Sequence, residues 1–175
     1  MSGRPAVPVA PEVTLPNVGA GSDPYVLRET DADVVVFLFQ RDYYCTNCRA
    51  QVDDVAARAD EFRERGAAVV SVLPEPADRA RGWVDDPPFP VLADPEGSVG
   101  ESYGQRIRFG PVGRLHDLIG RMPVAAVVDA RPDEPRLVES NRGTTPWDRP
   151  SVDDLLASVD AVLTNDGGDE TERDP

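Results

Sequence analysis

The fold is decided by the stretch Phe39-Gln40-Arg41-Asp42-Tyr43-Tyr44-Cys45-Thr46-Asn47-Cys48-Arg49, which follows the strongest strand signal of the chain and precedes its clearest helix. Its two cysteines, separated by two residues, are the only two in the protein. A cysteine acts as a nucleophile only as a thiolate, and a Cys-x-x-Cys at the start of a helix has its thiol pKa lowered towards neutrality. The stretch therefore predicts a redox-active dithiol between a buried strand and a helix.

A strand, a helix and a second strand surround this stretch. Residues 34–39 are apolar without alternation, which is typical of a strand that is covered on both faces. Residues 48–65 predict a helix, because apolar residues recur at helical spacing, namely Val52, Val55, Ala56, Ala59 and Phe62. Gly66 ends this helix, and residues 67–73 form the next buried strand. Together they predict a right-handed βαβ unit.

The remaining elements are an N-terminal hairpin, two later strands and a closing helix. Short extended segments at residues 13–15 and 25–27 flank a turn-rich stretch and predict the hairpin. Residues 123–129 and 136–140 are predicted strands. Ser151 and Asp154 form a capping-box pattern before the last helix. Shorter elements are predicted at residues 77–84 (helix), 89–92 (strand) and 94–103 (helix with an acidic cap), whereas residues 106–121 give no assignment.

One domain is predicted at residues 13–163, since a length of 175 residues suits a single core. Residues 1–12 contain three prolines and no apolar run, which predicts a flexible leader without a signal peptide. Residues 164–175 are acidic and lack hydrophobic content beyond the helix, which predicts a disordered tail.

The charge of the protein excludes several classes of partner. There are 32 acidic and 18 basic residues, the net charge is −14, and every basic residue is Arg. Such a surface repels nucleic-acid phosphates and anionic membranes, so neither is an expected partner. The longest apolar run is far short of the roughly 20 residues that span a bilayer. Two cysteines do not make a secreted disulfide scaffold, so the cytoplasm is the expected location. The acidic, lysine-free composition is similar to that of halophile proteins.

Two interpretations of the cysteine pair without redox chemistry stay open. One is that both thiols are small buried hydrophobes, although their polar position between Tyr44 and Arg49 argues against it. The second is half of a zinc site, but zinc takes four ligands and only His116 and carboxylates are left to complete it. His116 is more simply a surface residue. We therefore expect no bound metal.

The order of the elements resembles the thioredoxin fold, and two motifs resemble the peroxiredoxin-like branch, the alkyl hydroperoxide reductase/thiol-specific antioxidant superfamily. The first motif is residues 39–49, and the second is Phe89-Pro90-Val91-Leu92-Ala93-Asp94-Pro95-Glu96-Gly97, continuing to Tyr103-Gly104. The resemblance covers residues 13–163. It implies an α/β thioredoxin-like three-layer fold, with a central mixed sheet, helices on both faces and an N-terminal hairpin.

The same resemblance implies a thiol-dependent oxidoreductase with antioxidant activity. It needs no bound cofactor, only an external thiol or a thioredoxin-type reductant. Its implied partners are disulfide-bearing proteins, or small hydroperoxides and disulfides.

The predicted active-site residues depart from the peroxiredoxin pattern. That family carries Pro-x-x-x-Thr-x-x-Cys, in which the last Cys attacks peroxide, and here Arg41, Cys45 and Cys48 fill the three positions. The arginine that the family places on a later strand falls near Pro123, where thioredoxins place a cis-proline beside the dithiol. The resemblance therefore implies a cis bond before Pro123, with the backbone of Met122 presented to a bound substrate thiol.

Several functions of the dithiol remain open. In a thioredoxin-like interpretation Cys45 attacks a disulfide, and Cys48 resolves the intermediate by closing an internal disulfide. In a peroxiredoxin-like interpretation Cys48 attacks a hydroperoxide, and the roles invert. A third possibility is a non-catalytic module that binds a metal or a partner through the dithiol.

Five neighbouring residues are candidates to support the dithiol. Arg41, Arg49 and Arg121 are candidates to lower a thiol pKa, although none of them matches the family's arginine by position. Tyr43 and Tyr44 stand where thioredoxins place a tryptophan before the dithiol. Their aromatic rings either shield the thiolate, contact a partner or simply pack.

Overall fold

The computed structural model describes residues 6–105, 121–143, 145 and 147–165. The strands are β1 (Thr14–Leu15), β2 (Tyr25–Val26), β3 (Val34–Phe39), β4 (Ala67–Leu73), β5 (Val91–Ala93), β6 (Val124–Asp129) and β7 (Arg136–Arg142). The helices are α1 (Thr46–Ala57), α2 (Ala59–Glu64), α3 (Ala77–Ala80), α4 (Ser98–Ser102) and α5 (Val152–Thr164). Within these described ranges, no helix has both the length and the apolar character needed to cross a bilayer.

Strand β3 lies at the centre of a five-stranded sheet with the order β5-β4-β3-β6-β7. It pairs in parallel with β4, which pairs in parallel with β5, and it pairs antiparallel with β6. Strand β7 adds to β6 in the antiparallel sense, and β1 and β2 form a separate antiparallel hairpin. The predicted fold class, a mixed sheet with an N-terminal hairpin, is therefore confirmed.

Both faces of the sheet are covered, which explains the unbroken apolar sequence of β3. Val36 and Leu38 face a hydrophobic cluster that also contains buried residues of α1 and α5 and both cysteines. Phe37 and Phe39 point to the opposite face, where their ring centroids lie 5.4 and 5.0 Å from that of Tyr103. The cysteine pair is thus anchored in one of two cores, at the end of the central strand.

The predicted helix over residues 48–65 is divided into two. Helix α1 begins at Thr46, and Arg58, with φ −118° and ψ 21°, separates it from α2. The Arg58 guanidinium donates to Glu61 within α2 at 3.0 Å and to Asp153 of α5 at 2.7 Å. The break therefore brings a cation to the start of the last helix. The buried positions still fall on the predicted stripe, at Val52, Val55 and Phe62.

The short elements after β4 differ from the prediction in their extents. Helix α3 is four residues long, β5 is shifted towards the C-terminus, and α4 begins only at Ser98. The predicted acidic cap is nevertheless formed, because Oδ2 of Asp94 accepts the N–H groups of Val99 and Gly100 at 3.1 Å. An acceptor here satisfies N–H groups that have no partner within the helix.

The N-terminal segment also differs from the prediction. Residues 8–10 run along the edge strand β7, although the sequence predicted a flexible leader through residue 12. Ala10 is buried, and the N–H of Leu137 donates to the carbonyl of Pro8 at 2.9 Å. A proline lacks the N–H donor but keeps its carbonyl acceptor, so it can still pair along an edge strand. Residues 1–5, 106–120 and 166–175 lie outside the described part.

Candidate active site

Cys45 and Cys48 lie where β3 leads into α1, and a disulfide joins them. Their Cα atoms are 5.2 Å apart, within the range that a disulfide requires. Cys45 is also the N-cap of α1, since its Sγ accepts the N–H of Cys48 at 3.2 Å. A side-chain acceptor at the N-cap satisfies one of the free N–H groups of the first turn. The predicted pair is therefore formed, in its oxidised state.

Both cysteines are buried, and Cys45 is slightly the more exposed of the two. Cys45 is 7% exposed, whereas Cys48 is fully buried beneath the first turn of α1. The backbone N–H of Arg41 donates to Sγ of Cys48 at 3.4 Å. Both sulfurs thus accept hydrogen bonds, which inert apolar thiols do not need. A molecule arriving from solvent meets Cys45 first.

An arginine that the sequence pattern does not single out contacts both sulfurs. Nη2 of Arg149 donates to Sγ of Cys48 at 2.9 Å and to Sγ of Cys45 at 3.2 Å. Arg149 lies in the segment between β7 and α5, and its Nη1 is 3.4 Å from Oε1 of Gln51. Nε2 of Gln51 in turn donates to the carbonyl of Pro150 at 3.3 Å. One side chain of α1 therefore holds the loop that delivers the guanidinium.

The electrostatics of this contact favour a negative sulfur. Burial, and to a lesser extent the nearby charge of Arg41, lower the pKa of Arg149 to about 10, while Asp42 opposes the change. At neutral pH the group is still cationic. A buried cation is costly without an anion beside it, and a thiolate formed on reduction supplies that anion. A thiol next to an arginine at a helix N-terminus has a lowered pKa for the same reason.

The three predicted arginines take different places. Arg41 contacts Cys48 through its backbone N–H rather than its guanidinium. The Arg49 guanidinium lies 5.1 Å from the ring centre of Tyr43 and donates to the Tyr43 carbonyl at 3.1 Å. Arg121 is buried in the wall of a neighbouring cavity. Within the described residues, the guanidinium hydrogen-bonded to sulfur is that of Arg149.

Tyr43 and Tyr44 have separate roles. The carbonyl of Tyr43 accepts Nε1 of buried Trp83 at 2.9 Å, so this part of the loop is fixed to the core. Tyr44 is 61% exposed, and its hydroxyl accepts Nη2 of Arg79 at 2.8 Å. The Arg79 guanidinium also lies 4.8 Å and 5.2 Å from the Tyr43 and Tyr44 ring centres, a cation–π arrangement. Tyr43 therefore packs against neighbouring side chains, whereas Tyr44 exposes its ring to solvent next to Cys45 in the sequence.

The cis bond predicted between Met122 and Pro123 is wrong, because this bond is trans. The trans form of an X–Pro bond is favoured by about 0.5–1 kcal/mol, so a cis form needs surroundings that select it. Here the carbonyl of Met122 accepts Nε2 of Gln105 at 3.0 Å. The same Nε2 donates to the carbonyl of Gln40 at 2.9 Å, so Gln105 links the ends of β3 and β6.

The interpretation of the dithiol as half of a metal site requires further ligands close to the two cysteines. Among the described residues, no three side chains of His, Cys, Asp or Glu are grouped to hold an ion. His116, the remaining candidate ligand, lies outside the described residues.

Comparison with known proteins gives one family match and several structural ones. The model of the AhpC/TSA family matches residues 8–130. Peroxidoxin BcpB from Mycobacterium tuberculosis has a similar structure, with a TM-score of 0.71 and 21% identity over 89% of this chain and 96% of that chain. No curated protein is similar enough in sequence to count as a match.

Two structures from Xanthomonas campestris are also similar. Its bacterioferritin comigratory protein gives a TM-score of 0.67 and 16% identity, and its peroxiredoxin Q gives 0.67 and 17%. Each comparison covers 85% of this chain and 90% of the other. At these identities the structural likeness establishes a common fold, and the match over residues 8–130 establishes the relationship in sequence.

Proposed function

The chain belongs to the AhpC/TSA family of thiol-dependent oxidoreductases, and on that premise we propose that Cys45 and Cys48 exchange electrons with disulfides. The observation that carries the proposal is the disulfide itself, which joins Cys45, 7% exposed, to the fully buried Cys48 beneath an arginine. This arrangement provides an attacking thiol, a resolving thiol and a cation that stabilises the thiolate.

In the reducing direction, the Cys45 thiolate attacks one sulfur of a substrate disulfide. A mixed disulfide forms at Cys45, and the other half of the substrate leaves as a thiolate that takes up a proton. The Cys48 thiol then loses its proton and attacks the Cys45 sulfur. The internal disulfide closes, and the second half leaves as a thiol. The substrate gains two electrons, and the protein loses two.

The cycle is completed by an external reductant. A small thiol or a thioredoxin-type protein reopens the internal disulfide by the same exchange in reverse. No bound cofactor takes part in either half. We expect the reaction to take place in the cytoplasm, where thiols are kept reduced.

Reduction of hydroperoxides is a second candidate, favoured by the surroundings of Cys48. Its Sγ has the shorter contact to Arg149, and it also accepts the N–H of Arg41. The Xanthomonas campestris protein has alkyl peroxide reduction activity. Here a Cys48 thiolate would attack the terminal peroxide oxygen, giving a sulfenic acid and an alcohol. The Cys45 thiol would then displace water and close the same disulfide.

Single-cysteine variants separate these functions. Disulfide reduction and hydroperoxide consumption are measured for the wild type, Cys45→Ser and Cys48→Ser. We expect Cys48→Ser to form a stable mixed disulfide with an aromatic disulfide reagent, because no second thiol is left to resolve it. Both variants should lose multiple-turnover disulfide reduction.

Two different results would change the assignment. Hydroperoxide consumption that survives only in Cys45→Ser would assign the attack to Cys48 and make the protein a peroxidase. One metal ion copurifying per chain, together with neither activity, would make the dithiol a binding site and overturn the proposal.

A further inference from the structure

A cavity of about 410 Å³ opens beside the loop that carries the dithiol. Besides three prolines, it is lined by Arg41, Asp42, Tyr44, Glu75, Arg79 and Arg121. We name it the Arg121 pocket. Its volume suits a small molecule rather than a protein segment. Tyr44 in its wall immediately precedes Cys45 in the sequence, so the pocket borders the loop that carries the proposed attacking sulfur.

The lining of the Arg121 pocket has a net positive charge, although the protein as a whole is strongly negative. Three arginines line it against two carboxylates, in a chain with a net charge of −14. Each carboxylate already has a cation, since Asp42 lies 3.7 Å from Arg41 and Glu75 lies 3.6 Å from Arg79. The lining therefore holds one more arginine than carboxylates, and the additional positive charge is that of Arg121. The pocket is therefore suited to an anion.

The buried side chain of Arg121 has an N–H donor group that lacks an acceptor in the described part of the chain. Its side chain belongs to a residue that is only 8% exposed, and in the described part of the chain its buried Nη1 has no hydrogen-bond partner. A buried guanidinium that lacks acceptors is unfavourable, so an anion in the pocket that Arg121 lines would be stabilised. Gly97, with φ +68°, lies against the guanidinium, and a Cβ at this position would overlap it. The glycine thus leaves room for Arg121.

We propose that the Arg121 pocket binds a carboxylate of a small disulfide substrate and holds its sulfur towards Cys45. The planar guanidinium suits this group, because it can donate two parallel hydrogen bonds to the two carboxylate oxygens. The inference rests on the proposed disulfide exchange at Cys45. It adds a substrate class, namely disulfides of small thiols that carry a carboxylate.

Turnover of two disulfides of similar size tests this inference in the full chain. 3,3′-Dithiodipropionate carries two carboxylates, and bis(2-hydroxyethyl) disulfide carries none. We expect kcat/KM to be roughly tenfold higher for the dianion, in line with one hydrogen-bonded charge pair. The acidic protein as a whole repels a dianion, so general electrostatics predict the opposite preference.

Variants connect the preference to the pocket. In Arg121→Gln the ratio of the two kcat/KM values should fall to about one. Arg79→Gln, on the more exposed part of the wall, should lower the same ratio and provides a second test if Arg121→Gln does not fold. Arg63→Gln is the matched control, because its exposed guanidinium pairs with Asp60 on α2, away from the pocket.

Binding to the oxidised protein separates this inference from the proposed function. 3,3′-Thiodipropionate has the same carboxylates but no disulfide, and calorimetric titration should detect it with wild type and not with Arg121→Gln. If it binds while neither disulfide is reduced, the pocket stands and the proposed function fails. Equal kcat/KM values for both disulfides, together with no binding of 3,3′-thiodipropionate, would overturn the pocket while leaving the proposed function intact.

Discussion

The guanidinium of Arg149 lies 2.9 Å from Sγ of Cys48, although 101 positions separate the two residues in sequence. The contact joins the segment before α5 to the first turn of α1. It brings a buried positive charge to a pair of sulfurs that already lie at a helix N-terminus. Both features favour the thiolate over the thiol.

Replacing Arg149 should therefore weaken the thiolate. An opposite charge at this distance lowers a pKa by about 1–3 units, so we expect Arg149→Gln to raise the pKa of the reactive thiol by at least about one unit. The pH dependence of iodoacetamide alkylation and the ultraviolet absorbance of the thiolate both measure this pKa in the reduced protein. Arg149→Lys, which keeps the charge, should recover part of the shift. An unchanged pKa in Arg149→Gln would contradict the role of this contact.

Replacement of Gly97 by alanine should destabilise the fold more than replacement of Gly82, although both glycines have a positive φ. A non-glycine residue in this conformation costs about 1–2 kcal/mol, so Gly82→Ala (φ +80°, with open space around a Cβ) should show that cost alone. Gly97→Ala adds overlap with the Arg121 guanidinium, and we expect a larger loss in the free energy of unfolding. Urea denaturation of both variants gives the difference. Equal losses would mean that Arg121 moves aside freely.

The capping box of α5 should be measurable as stability. Oγ of Ser151 accepts the N–H of Asp154 at 3.1 Å, and the Asp154 carboxylate accepts the N–H of Ser151 at 2.9 Å. Loss of such a cap costs about 1 kcal/mol, so Ser151→Ala should lower the free energy of unfolding by that amount. Ser102→Ala removes an exposed serine that is not an N-cap and should change it little.

The capping box also has a pH dependence. The backbone N–H of Ser151, and then its side chain, lower the pKa of Asp154. A carboxyl group whose pKa is lower in the folded state stabilises the fold above its unfolded pKa, and this contribution is lost as the pH falls through the folded value. The difference in stability between wild type and Asp154→Asn should therefore shrink in acid. A constant difference from neutral to acidic pH would contradict the prediction.

Tyr25 should make the protein sensitive to alkali. Burial raises its pKa from 10.0 to about 12, against a smaller opposite effect of Thr30. The unfolded chain thus ionises first, and stability that is fully present below pH 10 is lost as the pH rises towards 12. Over this interval the free energy of unfolding of Tyr25→Phe should fall by roughly 1–2 kcal/mol less than that of the wild type. Urea denaturation at each pH measures both values. Identical pH profiles for the two proteins would contradict the role of Tyr25.

The sequence predicts those parts of the fold that repeat a local pattern. The apolar run of β3 and the stripe of Val52, Val55 and Phe62 identify the βαβ unit. Burial of a strand on both faces leaves an unbroken apolar run, and burial of one helix face leaves apolar residues at helical spacing. The cap at Ser151 is recognised from a spacing of three residues. The cysteine pair is recognised for the same reason.

The parts that the sequence does not predict depend on contacts between distant segments. Arg149 stands between an aspartate and a proline without periodicity, and nothing local indicates that it reaches Cys48. Next to the trans bond before Pro123, the carbonyl of Met122 accepts a hydrogen bond from Gln105, which lies 17 residues away in the sequence. The position of residues 8–10 along β7 uses backbone carbonyls, which every residue type carries. Only a signal that connects remote positions, such as covariation between homologues, would have identified these contacts.

The Cys45 sulfur is both the atom that would carry a substrate and the acceptor that closes the first turn of α1. In the oxidised structure this sulfur is bonded to Cys48 and still accepts the N–H, so a disulfide and the N-cap hydrogen bond coexist on the same atom. A mixed disulfide at Cys45 is therefore compatible with a closed first turn of α1. The intact turn would keep the second thiol in position for its attack on the Cys45 sulfur.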